Sequence, residues 1–145
     1  MSTSSALLAK ASKYAFKRLK AVGGNPSSLP IALQTIVVIY SAQGVIDNGG
    51  LRYFFELTWP HDPDYSFFSA AYRRIGAKDA ADTIDKAVAS FPFKEPHLHH
   101  KKRNAFLDSR SKRHLLHSSV ICGDDTIWDL LEKYVLTNRK EFKIA

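Results

Sequence analysis

The chain has 145 residues, with 21 lysine and arginine residues against 14 aspartate and glutamate residues, which gives a formal charge of +7. Hydrophobic residues make up 45% of it, which is enough to build a buried core and excludes an intrinsically disordered chain. The single cysteine excludes a disulfide framework and a cysteine-rich zinc module, and no apolar run is long enough to cross a bilayer, so we expect a cytoplasmic protein without a transmembrane segment.

The first predicted element is a basic amphipathic helix within residues 1–24. Apolar residues recur at intervals of three and four from Leu7 to Val22, and the segment holds five basic residues and no acidic one. Gly23 and Gly24 end this helix. We interpret it as a first helix docked on the domain, because the alternative of a transit peptide would require an arginine-rich segment.

Residues 30–47 predict a second helix, although their propensities conflict. The run Thr35-Ile36-Val37-Val38-Ile39 is β-branched throughout and would suit a buried strand. The uninterrupted span from Pro30 to Asp47 is too long for a typical strand. We therefore predict a helix that is buried on most sides; a strand here would make the fold α+β.

Asn48-Gly49-Gly50 separates this helix from a shorter one that begins at Leu51. In one interpretation the backbone amides form a nest that binds an anion or a carboxylate. In the other, the tripeptide is a tight turn that requires positive φ and that Asn48 caps. We favour the turn, which explains both glycines without a ligand, and keep Asn48, Gly49 and Gly50 as candidate binding residues.

The rest of the chain predicts four further helices with short connections, at residues 62–76, 77–91, 100–110 and from 124 onward. Asp62-Pro63 is typical of a cap followed by proline at the first helical position. We expect residues 30–142 to form one helical domain to which the basic N-terminal helix is added. The predicted fold is thus a compact all-α domain of six or seven helices.

The second basic part of the chain, residues 92–119, holds seven basic residues and two acidic ones. With Phe106 available to stack on a base, this segment could contact the phosphates of a nucleic acid. The alternative is an ordinary solvated face with Phe106 in the core. The candidate binding residues here are Lys101, Lys102, Arg103, Arg110, Lys112 and Arg113.

Five of the six histidines lie in the same segment, at positions 97, 99, 100, 114 and 117. Histidines at such spacing can share a metal ion on a helix. However, no glutamate or cysteine completes a ligand pattern, and the adjacent cations oppose binding of another cation. We expect no metal, no cofactor and no catalytic residue, and keep a small metal-dependent enzyme at these histidines as a second alternative.

Three motifs point to a known family: Asn48-Gly49-Gly50-Leu51-Arg52-Tyr53-Phe54-Phe55, the Ile75-Gly76-Ala77 junction, and the last helix from Ile127 to Tyr134. In order and spacing they resemble the bacterial DNA-mimic-protein-like all-helical domain of unknown function, over residues 30–142. The resemblance implies an all-α fold and a protein that binds another macromolecule. Leu51, Tyr53 and Leu57 depart from the family's usual pattern.

A DNA mimic presents carboxylates at the spacing of phosphates and requires a large acidic excess, which is incompatible with a charge of +7. We therefore predict a non-enzymatic regulatory domain that binds another protein, without itself mimicking DNA. The alternative is an accessory protein that binds nucleic acid or another polyanion through residues 101–113 and the N-terminal helix. The sequence leaves the oligomeric state open.

Overall fold

The computed structural model describes residues 6–109 and 125–144, and the regular elements in these ranges are all helical. The described α-helices are α1 (Ala6–Ala21), α2 (Ile31–Glu56), α3 (Tyr65–Arg74), α4 (Lys78–Ala89), α5 (His100–Leu107) and α6 (Asp125–Thr137). Short 3-10 helices are formed by Pro26–Ser28, Pro96–Leu98 and Arg139–Phe142. The prediction of a compact all-α domain is confirmed.

The central element of the fold is α2. Each residue from Ala32 to Ile39 is buried, including the whole β-branched run. Helix propensity differs by less than about 1 kcal/mol per residue, whereas burying a Val or Ile side chain contributes about 1.5–3 kcal/mol. Tertiary packing therefore decides the conformation of this segment, and the prediction of a buried helix for residues 30–47 is confirmed.

The helix α2 bends at Gly50, whose backbone has φ 75° and ψ −177°. Essentially only glycine adopts this combination. Gly49 is required for another reason, because a Cβ atom at this position would lie 2.7 Å from the Cβ atom of Tyr53. The predicted turn is thus a bend between two segments of α2. Gly50 supplies the positive φ, and Gly49 leaves room for the side chain of Tyr53.

The helices α1 and α6 both pack on α2 and on each other. The ring of Tyr40 in α2 makes edge contacts with Phe16 of α1 at 6.1 Å and with Trp128 of α6 at 5.2 Å between ring centroids. Leu8, Ala11 and Ala15 form the buried face of α1. No helix in the described ranges combines the length and the apolar character required to cross a bilayer.

A chain of polar side chains joins α3 and α6 to α2. The buried Gln43 accepts a hydrogen bond from the hydroxyl of Tyr72 at 2.8 Å and donates one to Asp47 at 2.7 Å. The second carboxylate oxygen of Asp47 accepts from the indole nitrogen of Trp128 at 3.0 Å. Burial raises the pKa of Tyr72, so its hydroxyl stays protonated and donates. These bonds fix the positions of α3 and α6 along α2.

The cap of α3 is Asp64, not Asp62 as the sequence suggested. Asp64 has extended backbone angles and its carboxylate accepts a hydrogen bond from the amide of Ser66 at 2.9 Å. Asp62 has a positive φ of 47° and precedes the helix by three residues. The Asp62-Pro63 pattern misled the prediction because a second aspartate follows the proline.

We expect Asp64→Ala to lower the free energy of unfolding by about 1 kcal/mol, the usual value of an N-cap, and Asp62→Ala to change it by less than about 0.5 kcal/mol. The hydrogen bond from the Ser66 amide holds the pKa of Asp64 below its ordinary value of 3.8. The stabilisation is therefore present above that value and is lost as the pH falls through the lower pKa of the folded state. Urea denaturation of both variants at neutral and acidic pH tests this; equal effects at neutral pH would contradict it.

Candidate functional site

Of the predicted binding residues that the structure describes, those at the bend of α2 and those on α5 occupy separate places. Lys101 and Lys102 are exposed on α5, and the ammonium group of Lys102 lies 5.8 Å from the ring centroid of Phe93. Arg103, their neighbour in sequence, is only 1% exposed. Phe106 packs against Phe91 at 5.0 Å between ring centroids and belongs to the core, as the alternative interpretation expected.

Arg103 holds the interior together instead of contacting a ligand. Its guanidinium donates to the carbonyl oxygens of Phe55 at 2.9 Å and Leu57 at 3.1 Å, which lie at the end of α2. It also donates to the carbonyls of Pro96 at 2.9 Å and His97 at 3.1 Å, in the 3-10 helix before α5. The carbonyl of Pro96 also accepts a hydrogen bond from the amide of His99 at 3.1 Å. Arg103 thus joins the end of α2 to the 3-10 helix through carbonyls at two chain ends. Its assignment to a phosphate-binding surface is wrong.

The other candidate residues occupy separate places. Asn48 and Gly49 are exposed at the bend of α2, and Gly50 is partly buried beside them. Arg110, Lys112 and Arg113 lie outside the described residues, as do His114 and His117. The proposed use of these residues in binding stays a prediction.

The three described histidines of the cluster point to different partners. His97 packs against the ring of Tyr65, with the ring centroids 6.2 Å apart, and His99 packs against Phe93 at 5.9 Å. His100 lies 3.2 Å from the hydroxyl of Thr58. In the described ranges, no three histidine, cysteine, aspartate or glutamate side chains are arranged to hold a metal ion.

An apolar pocket of about 230 Å³ lies where α1, α2 and α3 meet. Leu19 of α1 and Val37 and Val38 of α2 line one part of it, and the segment between α2 and α3 contributes Trp59 and Pro63. Of the described side chains that line it, the hydroxyl of Ser41 is the single polar group. We refer to this cavity as the apolar pocket.

The wall that Trp59 forms is held in place from several sides. Its indole nitrogen donates to the carbonyl of Phe54 at 3.1 Å. Its ring lies 5.5 Å from that of Phe54 and 5.1 Å from that of Phe68, measured between centroids. A side chain fixed in this way loses little conformational entropy when a ligand contacts it.

The rim of the apolar pocket contains an unusual stretch of backbone. His61 and Asp62 are consecutive non-glycine residues with positive φ, 69° and 47°. Such residues persist where the surrounding structure enforces them, and they are enriched at binding sites. A second depression, of about 460 Å³, continues from the rim past Pro60 and Phe67 to the polar side chains of Asn25, His61, Asp64 and Ser66.

A second group of exposed bases lies on the N- and C-terminal elements, of which the sequence pattern had indicated the N-terminal part. The C-terminal 3-10 helix packs against both α1 and α6. All five basic residues of α1 are exposed, and so are three that lie in or next to the 3-10 helix. We refer to these residues as the basic face: Lys10, Lys13, Lys17, Arg18, Lys20, Arg139, Lys140 and Lys143.

Neither surface could be found by scanning for local motifs. The residues of the apolar pocket follow the same helical period as ordinary core residues, and Trp59-Pro60 reads as a helix end. The basic face joins residues more than a hundred positions apart in the sequence, and only the packing of the C-terminal 3-10 helix on α1 brings them together. Counting charges in consecutive blocks of the sequence assigns these residues to the two ends of the chain and not to one surface.

Comparison with known proteins gives a single match. The model of the DMP19-like protein family matches residues 27–138. No curated protein and no solved structure matches the chain. The matched range contains the bend at Gly50, the Ile75-Gly76-Ala77 junction and all of α6, which are the features on which the resemblance in sequence rested. Because this range is most of the chain, the chain belongs to the DMP19-like protein family.

Proposed function

We propose that the protein is a non-enzymatic domain that binds another protein through the apolar pocket. The observation behind this proposal is the size and lining of the pocket. Sites for small molecules combine apolar walls with several convergent polar groups, whereas Ser41 supplies the one side-chain hydroxyl in the lining of this pocket of about 230 Å³. A cavity of this kind suits one or two apolar side chains of a partner, the usual arrangement at the centre of a protein interface.

The fixed walls support the same proposal. Trp59 is hydrogen-bonded and packed on two phenylalanine rings before any partner is bound. Because the pocket exists without the partner, binding does not require the walls to be ordered at that moment. An aromatic wall around a small cavity is typical of the few interface positions that supply most of the binding energy.

The charge of the chain supports a role other than DNA mimicry. A DNA mimic requires a dense negative field, and this chain has a formal charge of +7. We propose that this member of the DMP19-like family binds its partner by another route. The proposal places it in the cytoplasm, in keeping with its single cysteine.

Filling the apolar pocket should abolish partner capture. Ser41 is partly exposed at the pocket, so Ser41→Trp places an indole in the cavity. We expect this variant to capture at least about tenfold less of any specific partner from a native lysate, since one central interface position often contributes 2 kcal/mol or more. Quantitative affinity capture with immobilised wild-type and variant proteins is the measurement.

Thr83→Trp is the matched control, because Thr83 is also a partly exposed hydroxyl residue in the middle of a helix and lies on α4. It should capture as much partner as the wild type does. The proposed function would be wrong if Ser41→Trp retained the wild-type set of partners while both variants kept the wild-type circular dichroism spectrum.

A further inference from the structure

The basic face and the apolar pocket meet at the C-terminal end of α1. Leu19 and Gly24, at and just beyond this end, line the pocket. Lys17, Arg18 and Lys20 are exposed on the same turn and a half of helix. A chain segment that enters the pocket beside Leu19 therefore lies close to the C-terminal end of α1, where Arg18 and Lys20 are the sequence neighbours of Leu19.

The basic face has little acidic counterpart within its own elements. α1 contains no acidic residue, and the C-terminal 3-10 helix contains Glu141 alone. Among the described residues, the lysines and the arginine of α1 belong to no ion pair, whereas Arg52 and Arg73 are each paired with two carboxylates. The field over α1 is thus positive and available to a negatively charged partner.

Two exposed carboxylates lie near the pocket. Asp64 lines the neighbouring depression, and Asp62 is exposed two residues before it. Acidic residues of a partner would be repelled by these carboxylates. The charge distribution therefore favours acidic residues that lie over the bases of α1, away from Asp62 and Asp64.

The same features argue against a nucleic acid as the occupant. A nucleobase has several hydrogen-bonding groups along its edges, and the pocket offers the Ser41 hydroxyl as its one polar side chain. Burying unpaired polar groups costs about 1–3 kcal/mol each.

We infer that the partner of this protein presents an acidic segment, with one apolar anchor side chain in the apolar pocket and its carboxylates over Lys17, Arg18 and Lys20. This inference rests on the proposed function and specifies its partner. The basic face belongs to α1 and to residues 139–143, which flank the range 27–138 that the family model matches. The bases that would provide the preference for acid therefore lie outside the matched range.

Selection from a library of random short peptides displayed on phage, with the full-length protein as the target, tests the inference without knowledge of the natural partner. We expect enriched peptides to contain a large apolar residue with aspartate or glutamate on one side. A synthetic peptide of that sequence should bind at least about tenfold more tightly than the same peptide with lysine at the acidic positions, and its affinity should fall with salt.

Charge reversal tests which basic residues bind the acidic segment. The triple variant Lys17→Glu, Arg18→Glu, Lys20→Glu should weaken binding of the acidic peptide by about tenfold or more. The matched control reverses Lys78, Lys86 and Lys94, which are exposed at and beyond the two ends of α4 and give the same change in net charge. This control should change the affinity by less than about twofold, once salt screens distant charges.

The outcomes separate the inference from the proposed function. Enriched peptides with an apolar anchor but no acidic bias, lost on Ser41→Trp, would overturn the inference and leave the proposed function intact. Peptides that bind Ser41→Trp as well as the wild type would overturn both. A DNA duplex that competes with the acidic peptide, and that binds less tightly to the Lys17, Arg18 and Lys20 variant, would overturn the inference in favour of a nucleic-acid partner.

Discussion

Arg103→Met is expected to lower the free energy of unfolding by about 3–5 kcal/mol, the largest effect of any single substitution proposed for this protein. The substitution keeps the aliphatic part of the side chain and removes its donors. The buried or partly buried carbonyl oxygens of Phe55, Leu57 and His97 then lose this partner, while that of Pro96 keeps the amide of His99. Each unsatisfied carbonyl costs about 1–3 kcal/mol, partly relieved where water enters.

Urea denaturation followed by circular dichroism measures this effect, and Lys102→Met is the control. Lys102 is the exposed neighbour of Arg103, so its substitution should change stability by less than about 0.5 kcal/mol. Arg103→Lys keeps the charge but cannot reach four carbonyls in two chain segments with one ammonium group. The stability of Arg103→Lys should lie between those of the wild type and Arg103→Met. This variant should stay folded, so it can be measured even if Arg103→Met does not fold. Equal stability of the two methionine variants would contradict the role assigned to Arg103.

Gly50→Ala should destabilise the protein by about 3 kcal/mol, the second largest expected effect. At φ 75° and ψ −177° the added Cβ atom has no comfortable position. The bend can straighten only if the part of α2 after Gly50 moves, and that part holds Leu51, Phe54 and Phe55, which are fully buried. Strain at one residue is therefore resisted by the packing of several others.

A second glycine of the same helix provides a control whose substitution should have the opposite effect on stability. Gly44 is helical and exposed, and a Cβ atom there would meet no other atom within 4 Å. Gly44→Ala should raise the free energy of unfolding by about 0.5–1 kcal/mol, because alanine loses less backbone entropy in a helix. Thermal denaturation of the two variants should therefore shift in opposite directions. A stabilising effect of Gly50→Ala would show that the bend is not enforced by the core.

Periodicity predicted most of the fold because each helix buries a single stripe of side chains. α2 is the exception, since Ala32 to Ile39 are buried on all sides. The length of this segment correctly indicated a helix, whereas its β-branched residues indicated a strand. The glycines at 49 and 50 marked the bend correctly, because positive φ and close backbone approach are local properties that the residue type itself reveals.

The binding surfaces could not be predicted in the same way. Arg103 looked like Lys101 and Lys102, and only carbonyls up to 48 positions away distinguish it. The apolar pocket depends on how Leu19, Val37 and Trp59 come together, which no periodicity encodes. Charge in the sequence suggested basic surfaces at residues 101–113 and on the N-terminal helix, and the structure adds exposed bases at residues 139–143 to those of α1.

The chain contains two tryptophans, and the structure gives them different surroundings. Trp128 donates to Asp47 where α6 docks on α2, and Trp59 lines the apolar pocket. With Trp128 replaced by phenylalanine, fluorescence excited selectively in tryptophan, and not in the six tyrosines, would come from Trp59 alone. The protein thereby contains an intrinsic fluorophore at the mouth of its own cavity, and occupancy could be titrated without attaching a dye to either molecule.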